Sequence, residues 1–132
     1  MAETEKSFNI QDYIENSHND IYETKQLRLM ICKISERNIA IGCIDLFDFE
    51  PNHMRAGIGI LIGDKKNYGN GYASESLSII IRYCSEKLNL HQLYCNIATD
   101  NKSSLSLFKK HNFKIVGKKK DWIRTGNKFT DE

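Results

Sequence analysis

The sequence has little of what would assign it to a specialised class of protein. Of its 132 residues one is proline and one is tryptophan, and the formal net charge is only +2. An apolar share of 40% and a charged share of 27% are typical of a globular chain rather than a disordered one. No apolar run is long enough to cross a membrane, and the acidic N-terminus does not resemble a secretory signal. We therefore predict a single domain over residues 1–132, located in the cytoplasm.

The four cysteines lie far apart, and the 19 basic residues nearly balance the 17 acidic ones. Cys32, Cys43, Cys84 and Cys95 include no Cys-x-x-Cys pair, and each lies in an apolar stretch. This distribution is typical of buried free thiols rather than of disulfides or zinc ligands, so we predict no metal. The basic run Lys118–Lys120 is usually the signature of a solvated face, and a small net charge predicts no nucleic-acid partner.

Two glycines two residues apart separate an isoleucine-rich run from an amphipathic segment. Gly69 and Gly71 lie between Ile58–Ile62 and the segment that begins at Ala73. Glycine at a strand-to-helix junction allows positive φ, and the first helical turn offers amides and the positive end of the helix dipole to an anion. The pattern predicts a phosphate-binding loop, and the alternative is an ordinary tight turn that needs glycine for steric reasons. The third glycine of a Rossmann fingerprint and the Gly-Lys-Ser/Thr ending of a Walker loop are absent.

Apolar periodicity before this loop predicts a helix followed by three strands. In the second strand the apolar residues change face, which predicts either burial on both sides or a β-bulge. The predicted helix covers Phe8–Glu23, and the strands cover Gln26–Ile34, Ile39–Phe49 and Arg55–Gly63.

The pattern after the loop predicts an α/β unit. Apolar residues recur at helical spacing over Ala73–Leu88, and Leu93–Ala98 alternates as a strand that should run parallel to the strand before the loop. Asp100 or Asn101 is the expected N-cap of a further helix that ends near His111. The remaining predicted strands are Phe113–Val116, continued by Trp122–Arg124, and one that opens at Phe129–Thr130 after a turn at Gly126-Asn127. We expect Phe47, Phe49 and Trp122 in the core, and the alternative is an aromatic cage for the substrate.

Three sequence motifs follow one another in the second half of the chain. They are Lys66-x-x-Gly69-x-Gly71-Tyr72-Ala73, Leu90-His91-Gln92-Leu93-Tyr94, and Asn101-x-x-Ser104-x-x-Leu107-Phe108-x-x-His111-x-Phe113. In this order they resemble the GCN5-related N-acetyltransferases (GNAT), in particular the branch with ribosomal-protein-alanine and spermidine acetyltransferases. The resemblance covers about residues 26–124.

The resemblance implies an α/β fold in which a twisted, mixed sheet is flanked by helices. Its parallel central strands splay apart, and acetyl-coenzyme A lies in the gap between them. By position, the strand before the loop would contact the pantetheine arm and the loop amides would hold the pyrophosphate. For Asn101 the alternative is an N-cap alone, and the two roles are compatible. The implied cofactor-binding residues are Ile60, Leu61, Ile62, Lys66, Tyr68, Gly69, Asn70, Gly71, Tyr72, Ala73, Asn101, Ser104 and Phe108.

The implied activity is transfer of an acetyl group from acetyl-coenzyme A to a primary amine by direct attack on the thioester. The acceptor implied is a protein N-terminus, a polyamine or a small metabolite. Phe108 stands where many relatives have a tyrosine acid, and Gly57 stands near where polyamine-type relatives place a carboxylate. The catalytic residues therefore stay unknown, with Asp45, Asp48 and Glu50 as candidate carboxylates. The alternative function is a pseudoenzyme or an acetyl-coenzyme A-binding remnant without transfer activity.

The sequence also departs from the family at its two ends. We find no counterpart of the family's first strand before Phe8, and the chain ends at Glu132, soon after the turn that precedes the family's final strand. We expect the N-terminal strand and helix and the last strand to be missing, which would truncate the acceptor half. An exposed sheet edge would then favour a homodimer.

Overall fold

The structure is a computed structural model that describes residues 21–63 and 68–132. The chain forms two compact units, residues 1–94 and residues 95–132. The predicted helix over Phe8–Glu23 lies outside the described residues except at its end, where residues 21–24 are helical. The expected absence of a first strand before Phe8 also falls outside them, and the single domain over residues 1–132 stays a prediction.

A four-stranded sheet dominates the first unit, and its strand order is β1-β2-β3-β4. The first three strands are antiparallel neighbours, whereas β4 runs parallel to β3. This arrangement confirms the predicted parallel unit. The strands are β1 (Leu27–Cys32), β2 (Ala40–Glu50), β3 (Arg55–Ile62) and β4 (Gln92–Tyr94).

The change of face predicted in the second strand occurs at two bulges in β2. At the first, Ile31 pairs with Gly42 and Cys32 with Ala40, so Ile41 is the extra residue. The second lies between Phe47 and Glu50. An extra residue shifts the alternation of side chains, and both Ile41 and Phe49 are buried as a result.

The glycine loop leads into helix α1 (Tyr72–Glu86), which contacts β3. Its apolar stripe is buried at Leu77, Ile80 and Cys84, as the helical spacing predicted. Burial raises the pKa of the Cys84 thiol to about 12. All four cysteines are free thiols, which confirms that part of the prediction.

The second unit contains helix α2 (Lys102–Lys110) and a hairpin of β5 (Ile123–Thr125) and β6 (Lys128–Thr130). The hairpin turn lies at Gly126-Asn127, as predicted. After β6 the chain stays paired, because Lys119 and Glu132 exchange two backbone hydrogen bonds with N···O distances of 2.7 and 3.0 Å. The expectation that the last strand would be missing is therefore wrong for the segment after this turn, which forms a short strand.

Three other predictions for the second half of the chain are wrong. The strand predicted over Leu93–Ala98 ends at Tyr94, and Phe113–Val116 forms no strand. Ile115 is 68% and Val116 98% exposed, so the apolar residues at the end of this segment are not covered as those of a core strand would be. Trp122 is 61% exposed rather than in the core. None of the helices in the two described ranges is long and apolar enough to cross a membrane.

Candidate cofactor site

The parallel pairing of β3 stops partway along the strand. β4 pairs with β3 at Arg55, Ala56 and Gly57 only, and Gly57 lies opposite the last residue of β4, Tyr94. Within the described residues, Ile58–Ile62 has no ladder partner on that side. We call the side of Ile58–Ile62 that lies away from β2 the open side of β3.

The register with β2 determines which backbone groups face the open side. Gly63 donates its N–H to the carbonyl of Ile41 at 2.9 Å, which identifies these opposed residues as a bonded pair. Bonded and non-bonded pairs alternate along an antiparallel ladder. Leu61 therefore bonds to β2, whereas Ile60 and Ile62, its neighbours, direct their N–H and C=O groups to the open side.

The loop that follows β3 has the backbone that its glycines allow. Gly69 has a φ of 75° and Gly71 a φ of 78°, a region that other residues adopt at a cost. Among the described residues, apart from each glycine's own neighbours along the chain, no heavy atom lies within 4 Å of the position that a Cβ would take at either residue. The glycines therefore serve backbone conformation, and the space beside them is open to a ligand. Tyr68 and Asn70 are exposed, and Lys66 lies outside the described residues.

Helix α1 begins directly at this loop, with Gly71 as its N-cap. The first intrahelical hydrogen bond joins the N–H of Glu75 to the carbonyl of Gly71 at 2.9 Å. A helix leaves the amides of its first turn without acceptors inside the helix, and glycine brings no side chain to cap them. Together with the helix dipole, which favours a nearby anion by about 0.3–2 kcal/mol, this end of α1 suits a phosphate group.

The predicted N-cap of the second helix is confirmed at Asn101. Its Oδ1 accepts hydrogen bonds from the backbone N–H of Ser104 and from the hydroxyl of Ser103, both at 3.2 Å. The cap uses the oxygen of the side-chain amide, and the NH₂ group of that amide only donates. Phe108 in the same helix is 4% exposed and meets Phe113 edge-to-face at 5.0 Å, which gives it a packing role in its unit.

Two lysines of the basic run form ion pairs with the acidic residues at positions 131 and 132. Lys119 forms an ion pair with Glu132 at 2.7 Å and lies 4.8 Å from the centroid of the Trp122 ring. Lys120 lies 3.5 Å from a carboxylate oxygen of Asp131. These contacts fit the interpretation of the run as a solvated face.

The candidate carboxylates of β2 differ in their partners. Asp45 accepts two hydrogen bonds from Arg28, at 2.7 and 2.8 Å. Asp48 accepts a hydrogen bond from the hydroxyl of Tyr94 at 2.9 Å. Burial, followed by this bond to Asp48, raises the pKa of Tyr94. The sequence analysis named Tyr94 only as the last residue of the second motif and assigned it no role.

A strand with one open side, a glycine loop and a helix that begins at the loop form, in an α/β protein, an arrangement that suits a phosphorylated ligand. The chain belongs to the GNAT acetyltransferase family, since the model of the acetyltransferase (GNAT) domain matches residues 2–114. This confirms the resemblance seen in the sequence and the expected fold class.

Individual relatives are more distant. An N-acetyltransferase 9-like protein from Nematostella vectensis is 32% identical over 89 residues, which are 67% of this chain and 45% of that protein. The spermidine N(1)-acetyltransferase of Vibrio cholerae is 25% identical over 113 residues, or 86% of this chain and 62% of the enzyme. The chain thus spans about half to two thirds of the length of these relatives.

Among solved structures, the fold resembles a Vibrio cholerae spermidine N-acetyltransferase in complex with CoA and spermine. The TM-score is 0.75 at 21% sequence identity, over 92% of this chain and 70% of that one. At 21% identity this similarity shows the fold alone.

Proposed function

We propose that the protein is an N-acetyltransferase that moves an acetyl group from acetyl-coenzyme A to a primary amine. The observation that carries the proposal is that the β3–β4 pairing ends at Gly57. The rest of β3 is unpaired on that side and leads into a loop with two glycines at positive φ. A long, flexible arm with amide groups fits an unpaired strand, and a pyrophosphate fits a helix N-terminus. Acetyl-coenzyme A combines both features.

The register refines the predicted contacts along the strand. In this proposal the N–H and C=O groups of Ile60 and Ile62 bond the amides of the pantetheine arm. The backbone N–H and C=O of Leu61 bond to β2. Leu61 would therefore contact the cofactor through its side chain, which is 63% exposed.

In the loop, the amides from Tyr68 to Ala73 would hold the pyrophosphate. Lys66 would add a positive charge to the same anion. Cofactor contacts by Asn101, Ser104 and Phe108 stay predictions, and for Asn101 the cap leaves donors on its amide group.

The chemistry requires an amine to attack the thioester carbonyl, so that a C–N bond forms and the C–S bond breaks. A backbone N–H on the open side of β3 that does not bond the pantetheine arm would stabilise the oxyanion, because a fixed donor aimed at the developing charge lowers the barrier. The amine must also lose a proton. A lysine-like amine has a pKa near 10.4, so its reactive form costs roughly 4–5 kcal/mol at neutral pH, against about 1 kcal/mol for an α-amine. Phe108 has no hydroxyl and cannot donate a proton to the leaving sulfur.

Two measurements test this function. Acetyl-coenzyme A at a hundred times its dissociation constant should stabilise the protein by about 2.7 kcal/mol, which a thermal shift would show. Release of free coenzyme A thiol with spermidine, with peptides that have a free N-terminus, or with an aminoglycoside would show transfer. Absence of any stabilisation by acetyl-coenzyme A would contradict the proposal.

Stabilisation without thiol release would favour the second candidate, a protein that binds acetyl-coenzyme A without transferring the acetyl group. The phenylalanine at position 108 is the observation that supports this candidate. A homodimer stays a prediction, and light scattering in solution decides it.

A further inference from the structure

Asp48 and Tyr94 are joined across the sheet at the point where the parallel pairing ends. The hydroxyl of Tyr94 donates to a carboxylate oxygen of Asp48 at 2.9 Å, although 46 residues separate them in sequence. Tyr94 is the last residue of β4, and it lies opposite Gly57. The pair is therefore next to the start of the open side of β3.

A bulge directs the Asp48 side chain to this position. Asp48 has a φ of 47°, one of the few non-glycine residues in the left-handed region, and it lies in the register shift between Phe47 and Glu50. Aspartate and asparagine tolerate this region better than most residues, and bulges commonly re-aim a side chain near a functional site. Residues held in such a conformation cluster at sites of function.

The tyrosine ring is positioned by two neighbours. Gly57 lies opposite both Phe47 and Tyr94, and a Cβ at Gly57 would collide with the Phe47 ring. The Phe47 ring therefore covers the glycine and meets the Tyr94 ring edge-to-face, with centroids 5.8 Å apart. The result is a fixed phenol beside an aromatic ring and an exposed carboxylate.

The charges around this pair differ from those around the other carboxylate on the strand. Asp45 is held by the guanidinium of Arg28 in a two-bond ion pair. The partner recorded for Asp48 is a neutral phenol, and the charge of Arg55 acts on Tyr94 from the neighbouring strand. The carboxylate of Asp48 is thus exposed and bonded to a phenol, without the two-bond ion pair that engages Asp45.

We propose that Asp48 and Tyr94 form the subsite that receives the protonated amine of the acceptor. The ammonium would donate a charge-assisted hydrogen bond to Asp48 and a second one to the phenol oxygen of Tyr94, whose proton already points to Asp48. The assignment rests on the proposed function, because it supplies the amine for a thioester held along the open side of β3. The ligand class is an alkylamine cation.

Isothermal titration calorimetry on the full chain tests the subsite. Spermidine, and in a second arm a short peptide with a free N-terminus, is titrated into protein saturated with coenzyme A, which binds without turnover. We expect the wild type to bind at least one of the two amines, Asp48→Asn to weaken that binding at least ten-fold, and Tyr94→Phe to weaken it several-fold. Asparagine suits the left-handed backbone at position 48, and Tyr94→Phe provides the same test if the first variant does not fold.

Asp45→Asn is the matched control. Both carboxylate oxygens of Asp45 accept hydrogen bonds from Arg28, which removes this residue from the candidate carboxylates, so its substitution should leave amine binding unchanged. Coenzyme A affinity should be the same in all variants, and it is measured separately. Failure of the wild type to bind coenzyme A would contradict the proposed function. The subsite would be contradicted by any of three results of the amine titrations. These are a wild type that binds neither amine, an Asp48→Asn variant that binds as well as the wild type, or equal weakening by Asp45→Asn.

Discussion

Replacing Gly71 by valine should weaken acetyl-coenzyme A binding by about a hundred-fold, or roughly 2.8 kcal/mol. At a φ of 78° a β-branched residue is strained, so the backbone at the start of α1 would move away from its present course. The isopropyl group would also enter the open space beside the loop. Both effects displace the amides that would hold the pyrophosphate. Calorimetric titration of the variant with acetyl-coenzyme A measures the loss.

Gly126→Val is the matched control for this experiment. Gly126 also has a positive φ, 64°, and open space at its Cβ position, but it lies in the β5–β6 turn. The two variants carry a similar backbone strain, so both should lower the melting temperature, and only Gly71→Val should lower cofactor affinity. Unchanged affinity in Gly71→Val, or an equal loss in both variants, would exclude the loop as the anion site.

Replacing Phe49 by alanine should lower the free energy of unfolding by about 3–5 kcal/mol. Phe49 is fully buried, with 0% of its surface exposed, and meets the Tyr22 ring edge-to-face at 5.0 Å. Its removal leaves a cavity next to the second bulge of β2 and removes that ring contact. Urea unfolding followed by circular dichroism measures the effect.

Phe129→Ala removes the same side chain from a position that is 53% exposed. The cost there should be below about 1 kcal/mol, because the ring is only partly withdrawn from water. Similar losses in the two variants would contradict the assignment of Phe49 to the core.

The elements with strong periodicity could be predicted from the sequence. The strand before the loop was predicted to end at Gly63 and ends at Ile62, and the long helix begins one residue before the predicted Ala73. Helical spacing over four turns and alternation over eight residues leave few other solutions. One change of face in β2 was also visible, with burial on both sides as the alternative to a bulge, whereas the second bulge, between Phe47 and Glu50, was not predicted.

Short segments could not be predicted in the same way. Phe113–Val116 has the composition of a strand, yet its one recorded ring contact is that of Phe113 with Phe108. Trp122 has the composition of a core residue and is exposed. A four-residue segment with three apolar residues does not encode whether a neighbouring strand or helix is there to cover it.

The sequence predicted the position of the candidate site along the chain. Which backbone groups face that site depends on how the strands pair. Glycine spacing indicates positive φ, whereas the difference between Leu61 and Ile60 follows only from the register of β3 with β2. The contact between Asp48 and Tyr94 depends on a bulge and on two strands that are not sheet neighbours. Sequence spacing alone does not bring such residues together.

Amide chemical shifts during titration with coenzyme A test the central claim most directly. If the ligand lies along the open side of β3 and at the start of α1, the N–H signals of Ile60, Ile62 and residues 71–73 should move most. The N–H signals of Gly59 and Leu61, which bond to β2, should move much less. Equal shifts along β3, or shifts that leave the start of α1 unchanged, would contradict the account.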